Sequence, residues 1–367
     1  MAGGRRLLVA AGALSLATAG WAGLGRMGLV SPLPFGAAVE RHGALMVTAI
    51  ALLIALERAT VVRRTWAWIA PVLAAVAAAA IVAGAPAALE IAAALGAALV
   101  LVAVTAKGAA ATPGIAVALM TAGAVAWLVS AALRATSAGP AQVVPWWGAF
   151  LVLTIAGERF ELARILRPSR RGMVVFVTAV AVLVAGTLLT LADLTLGTRV
   201  AGAGLFALGI WLGLRDRPIR PTGASRAHPL ARFIGTATRL GYLWLVAAGG
   251  LALVFDGVPA GWRYDALLHA LFAGFVLSMI LAHAPIVIPA IVGGAFAYRP
   301  ALYAGPVLLS ASVLARVGGD LLELAPVRDV GAAGIGVALA VFAVTIASSL
   351  RGRRFETRTA VRAAGLR

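Results

Sequence analysis

Along most of the chain, apolar residues run almost unbroken for about twenty positions at a time and then give way to a few polar ones. The pattern shows neither the strict alternation of a half-buried strand nor the narrow apolar stripe of a surface helix. Runs of this length match helices crossing a hydrocarbon core of roughly 30 Å. Reading from one polar break to the next predicts twelve spans, at about 7–30, 42–58, 66–84, 87–106, 111–133, 143–162, 172–192, 198–214, 231–255, 264–291, 298–322 and 329–350. Backbone polar groups in lipid must be satisfied within the segment or in a closed barrel. The fold class is therefore all-α polytopic membrane protein, a single transmembrane domain over 1–367 with a basic tail at 351–367.

The polar breaks are unequal. Arg5, Arg6, Arg58, Arg63, Arg64, Lys107, Arg159, Arg164, Arg167, Arg170, Arg171, Arg215, Arg217, Arg220, Arg226, Arg299 and the tail from Arg351 to Arg367 fall on one side of a twelve-span arrangement. Arg26, Arg41, Arg134, Arg199, Arg263 and Arg328 fall on the other. The positive-inside rule then places both termini in the cytoplasm and the chain in the inner (cytoplasmic) membrane. Composition agrees: 62% of residues are hydrophobic and only 12% charged, against about 25% charged in soluble domains. The net charge of +18 is spread over alternate loops and forms no patch that would read a nucleic acid. The stretch "GGRR" followed by "LLVAAGALSLATAG" also has the form of a secretory signal peptide, the competing reading of the first span. With no cysteine, disulfides, iron–sulfur clusters, thiolate metal sites and CxxCH haem attachment are excluded.

Three segments align internally: "HGALMVTAIALLIALER" from His42, "WGAFLVLTIAGERFELAR" from Trp147 and "HALFAGFVLSMILAHAP" from His269. They are spans two, six and ten, and each opens on a large ring. The first two end in Glu-Arg with another arginine five residues on (Glu57, Arg58, Arg63; Glu158, Arg159, Arg164). This predicts three pseudo-repeats of four helices, about 1–108, 109–218 and 219–350. The longest stretch between spans, 215–232, is rich in Arg and Pro.

Only four histidines occur, and an ionisable side chain inside a span is a functional candidate by default. Spans two and ten run in the same direction, so His42 and His269 are expected at nearly equal depth in the outer part of the membrane. Two neutral imidazoles on facing helices suit the axial positions of one haem iron. Gly43, Ala44, Ala270 and Gly274 offer room for a macrocycle, and Arg41, Arg263 and Arg328 are candidate partners for its propionates. The competing reading makes the histidines interfacial caps.

"HGALMV" and "LLHALFAGFVLSMILAHAPIVIP" resemble the corresponding helices of the haem–copper oxidase catalytic subunit superfamily, twelve helices in three arcs of four. In character the chain is closer to its divergent NnrS-like relatives, associated with haem, copper and nitric-oxide tolerance. The resemblance implies that His42 and His269 ligate one low-spin haem b. It also implies what is missing. The active-site haem histidine would stand at Leu267, and the copper histidines would lie in spans six and seven, where this chain has Trp147 and "GMVVFVTAVAV". The function expected is a haem-binding membrane protein for electron transfer or for nitric-oxide or redox stress, without an oxygen-reducing centre and with an electron donor that the sequence does not identify. The alternatives are a cofactor-free twelve-span transporter or assembly factor, and a copper-handling protein using the histidines with Met46 and Met279.

The remaining polar residues read more simply. His283 lies about 21 Å along the helix from His269 on nearly the same face and is expected to make a structural hydrogen bond near the cytoplasmic boundary, with a proton-relay or second-metal role as the alternative. His228 is expected to be solvated. Arg316 and Asp320, four apart, are expected to pair. Glu90 is expected to be hydrated at a helix end, and Arg239 to snorkel. Glu57-Arg58 and Glu158-Arg159 read as clamps between repeats. Trp146, Trp147 and Trp262 read as interfacial anchors, and the 42 glycines as sites of close helix packing.

Overall fold

A computed structural model describes residues 2–31, 36–162, 169–216, 229–255, 257 and 259–351. Twelve helical stretches in it are long and apolar enough to cross a membrane. In chain order the helices are α1 (Ala2–Arg26), the short α2 (Gly36–Glu40), α3 (His42–Val62), α4 (Ile69–Val82, entered through a 3-10 turn at Thr65–Trp68), α5 (Ala87–Ala111), α6 (Ile115–Ala135) and α7 (Pro140–Leu162). They continue with α8 (Arg170–Leu189), α9 (Leu194–Arg215), α10 (Pro229–Val254), α11 (Trp262–Leu268), α12 (Leu277–Val292), α13 (Ala304–Leu321) and α14 (Ala325–Ser349). The expected His228, most of the Arg/Pro-rich stretch and nearly all of the basic tail lie outside the described residues.

The span limits follow from local chemistry. Ser169 caps α8 by accepting from the Gly172 N–H at 3.2 Å, and Asp193 caps α9 by accepting from Leu196 N–H at 2.9 Å. Gly293, at φ 74°, closes α12 in the left-handed conformation that glycine adopts without steric cost. The first span occupies 3–26 and not 7–30, because Gly28 turns at φ 73° and the Leu24 carbonyl accepts from Met27 and Leu29. Hydropathy alone carries through "MGLV" and misses that turn.

Most helices pack against their neighbours in sequence as antiparallel hairpins, α13 with α14, α6 with α7, and α8 with both α9 and, through it, α10. Glycine makes the closest approaches possible. A methyl group on Gly186 would stand 2.1 Å from the Ala201 backbone nitrogen, and one on Gly204 would stand 2.4 Å from that of Leu183, so α8 and α9 meet backbone to backbone. Leu7, Leu14, Val174, Leu214, Val330 and Val344 are exposed, as side chains facing lipid should be, while alanines dominate the interior. Longer-range contacts set α11 against α13, α10 against α12, and α1 against α3, α4 and α12. A two-residue antiparallel bridge joins Ala295–Phe296 to Leu350–Arg351.

The tenth span is not one regular helix. Between α11 and α12, residues His269–Val276 form a π-helix, a wider turn that is rare and concentrates at functional sites. Each π-turn takes an extra residue and so re-phases the helix by roughly 100°. The face-sharing of His269 and His283 inferred from a straight helix does not hold. The leading ends of spans two, six and ten do converge: a methyl on Gly43 would lie 3.7 Å from the Trp147 ring, and one on Gly148 would lie 3.1 Å from Leu271.

Candidate metal centre

Four helices deliver polar side chains to the end of the bundle that carries His42. Asp265 and His269 are one turn apart at the start of span ten, and Arg316 and Asp320 are one turn apart at the end of α13, so each pair shares a face. His269 Nδ1 lies 2.8 Å from the Asp265 carbonyl oxygen. A carbonyl only accepts, so Nδ1 carries the proton and Nε2 keeps its lone pair. Arg316 donates through Nη2 to the Asp265 carboxylate and through Nη1 to Met27 Sδ at 3.2 Å, and its Nε stands 3.6 Å from Asp320 Oδ2. The expected Arg316–Asp320 pair is thus present, but the closer partner of Arg316 is Asp265, which the sequence reading did not single out. Asp320 is 1% exposed, and neither carboxylate oxygen has a hydrogen-bond donor. Asp265, His269 and Asp320 can each offer one ligand atom, all within 4.8 Å of one another.

His42, on the first turn of α3, stands close enough for the charges of His269, Asp265 and Arg26 to act on it. Its Nδ1 is buried without a hydrogen bond of good geometry, although the Val39 carbonyl is near enough to act on the ring. One edge of the ring faces α1, where a methyl on Gly23 would lie 3.6 Å from Cδ2. His42 and His269 therefore lie at the same end of the bundle, each at the leading end of its span.

The three arginines assigned to propionates point elsewhere. Arg41 reaches the Ala85 carbonyl at 3.3 Å and Glu90 at 3.4 Å. Arg263 lies over the Phe255 ring at 5.5 Å, and Arg328 lies over Trp262 at 4.7 Å while bonding Asp329 at 3.2 Å. The small residues are also covered: the Trp244 ring lies against Gly274, where an added methyl would meet it at 2.5 Å, and Trp147 lies against Gly43. The imidazoles suit a metal. The charges beside them suit a bare cation, because the unsatisfied side chain next to His269 is a carboxylate, and the propionates of a haem would need cations there.

Other expectations divide in the same way. Glu90 is not hydrated: its side chain is 1% exposed and clamped by Arg134 as well as Arg41. Trp146 is buried in the bundle and not an interfacial anchor. At the opposite end, His283 is satisfied on both nitrogens, Nδ1 toward the Met279 carbonyl at 2.6 Å and Nε2 toward Arg159 at 3.1 Å. Arg159 also grips Asp216 with two bonds of 2.8 Å, and the Tyr242 hydroxyl donates to the same carboxylate. This four-helix network makes the structural reading of His283 the better one, and it includes two residues, Asp216 and Tyr242, that sequence spacing gave no reason to choose. Glu57 and Arg58 pair with each other at 2.7 Å on α3, and Arg58 also reaches Met120 Sδ of α6 at 3.3 Å. Arg239 is exposed.

A cavity of about 80 Å³ lies beside the centre, lined by apolar residues of α7, α8, α9 and α11 together with Tyr264. Tyr264 leaves its buried hydroxyl unpaired, but neither His42 nor His269 borders the cavity.

Fold and site together define an α-helical polytopic membrane protein with a buried histidine–carboxylate cluster near one membrane face. Residues 5–351 match the family described as Domain of unknown function (DUF8744), and the chain belongs to that family. No curated protein matches it.

Proposed function

We propose that this protein is an inner-membrane metalloprotein whose centre, held by His42 and His269, serves electron transfer or the response to nitric oxide or redox stress, without an oxygen-reducing copper site. The observation that carries the reading is that His42 and His269, far apart in sequence, stand at the leading ends of spans two and ten, which converge at one end of the bundle. The convergence of the leading ends of α3, α7 and the π-helix supports an arrangement of three four-helix repeats like that of the oxidases. The basic ends of the spans, carrying Arg5, Arg58, Lys107 and Arg159, face the cytoplasm in this reading, and the metal centre lies toward the outer face.

Haem b is the group that the resemblance to haem–copper oxidases implies; His42 and His269 would hold it, and it would supply one-electron chemistry. The residues themselves do the positioning. The Asp265 carbonyl fixes the tautomer and orientation of His269, an outer-shell role that raises ligand basicity. The absorption spectrum and metal content of the purified protein test the proposal. Wild type is expected to carry a haem or a transition metal that is lost in both His42→Ala and His269→Ala. Copper in place of iron would select the copper-handling alternative. A folded wild type that is colourless and takes up no metal refutes the proposal and leaves a cofactor-free transporter or assembly factor.

A further inference from the structure

We propose that Asp265, His269 and Asp320 form a site for one divalent transition-metal ion without a porphyrin, of the class of Mn²⁺, Fe²⁺ or Zn²⁺. The inference rests on reading the cluster as a metal centre and names its ligand.

Three observations point to an ion. The ligand atoms of the three residues already lie within 4.8 Å of one another. Bonds of about 2.0–2.2 Å to nitrogen and oxygen would bring them closer by amounts that side-chain torsions supply. Asp320 is 1% exposed and its two oxygens lack any hydrogen-bond donor. A carboxylate buried in an apolar bundle is costly unless a cation faces it. Arg316 bonds Asp265 but stands 3.6 Å from Asp320, so the buried Asp320 carboxylate keeps both oxygens free for a further cation.

The donor chemistry narrows the class. Two carboxylates and imidazole, with no thiolate in the chain, suit divalent Mn, Fe or Zn and disfavour Cu(I). Access is one-sided. Asp265 is 42% exposed and His269 29%, while Asp320 and Arg316 form a floor at 1% and 3%. An ion enters past Asp265. Arg316, bonded to Asp265 and held by Met27, keeps the two carboxylates from repelling each other before the ion arrives.

The test is equilibrium dialysis of the purified full-length protein in detergent against Zn²⁺ and Mn²⁺, followed by elemental analysis and thermal melting. Wild type is expected to retain one equivalent and to melt at higher temperature as free metal rises. Asp320→Asn is expected to weaken binding by more than about a hundredfold, beyond the range of outer-shell changes. Asp265→Asn, at the exposed lip, gives the same loss while leaving Asp320 and an amide oxygen for Arg316 in place, and so keeps the test decisive if Asp320→Asn does not fold. Wild-type binding no tighter than that of the Asp265→Asn protein overturns the inference. So does a low-spin bis-imidazole haem spectrum unchanged in Asp320→Asn, an outcome that leaves the metal-centre reading standing. Wild type with neither haem nor metal overturns both.

Discussion

Arg159 is a highly connected charge at the end of the bundle opposite His42 and His269, and its removal is calculable. The side chain is 11% exposed and bonds Asp216, which is 5% exposed, through two nitrogens. It also donates to the lone pair of His283 Nε2. Arg159→Met keeps much of the aliphatic volume but leaves a buried carboxylate with only the Tyr242 hydroxyl and leaves His283 Nε2 without a donor. Breaking one side of a buried ion pair costs about 3–5 kcal/mol, and an unsatisfied buried acceptor adds about 1–3 kcal/mol. Asp216 sits at the end of α9, so water reaching that end relieves part of this, and a net loss of about 3–5 kcal/mol is expected. The assay is thermal unfolding in detergent, followed by tryptophan fluorescence and by retention on size exclusion, with Arg239→Ala as the exposed reference. The double variant Arg159→Met/Asp216→Leu removes both charges together and should recover most of the loss, because replacing both partners of a buried pair is often neutral. Strictly additive costs, or an Arg159→Met protein as stable as the Arg239→Ala reference, would refute the account.

Other expectations are simpler. Gly274→Ala places a methyl 2.5 Å from the Trp244 ring, whose Nε1 is held by Ser310 at 3.0 Å. The ring cannot retreat freely, so a loss of about 1–3 kcal/mol is expected from overpacking in the same melt, together with a shift in tryptophan emission. Glu90→Ala leaves Arg41 and Arg134 facing each other without their shared carboxylate, which should cost about 2–4 kcal/mol, while Glu90→Gln should recover part of that. An unchanged melting temperature in Glu90→Ala would mean that water replaces the carboxylate.

Much of the architecture was legible along the chain. All twelve spans begin and end within five residues of the positions inferred from hydropathy, because lipid imposes the same demand on every crossing segment regardless of its neighbours. The pairing of Arg316 with Asp320 was legible too, since four residues on one helix share a face. Asp265 was overlooked for the opposite reason: it lies in "WRYD", a polar entrance that resembles any helix end, and its weight comes from an arginine 51 positions away. Asp216, inside "RDRPIR", looked like one more solvated charge until α7 and α10 surrounded it. Glu90 had no partner nearby in sequence, and its two arginines come from other helices.

The sequence by itself determined that the chain is a set of lipid-crossing helices, how many there are, which ends are basic, and that it holds only four imidazoles and no thiol. These are properties of composition and local order, and the cost of placing each residue in hydrocarbon is nearly additive. Only the tertiary structure decided which charges neutralise which, that the tenth span widens into a π-helix at His269, and that Asp265, Asp320 and Arg316 stand together beside that ring. Those outcomes depend on how helices distant in sequence pack, and a low dielectric makes each such pairing matter while leaving no trace in periodicity.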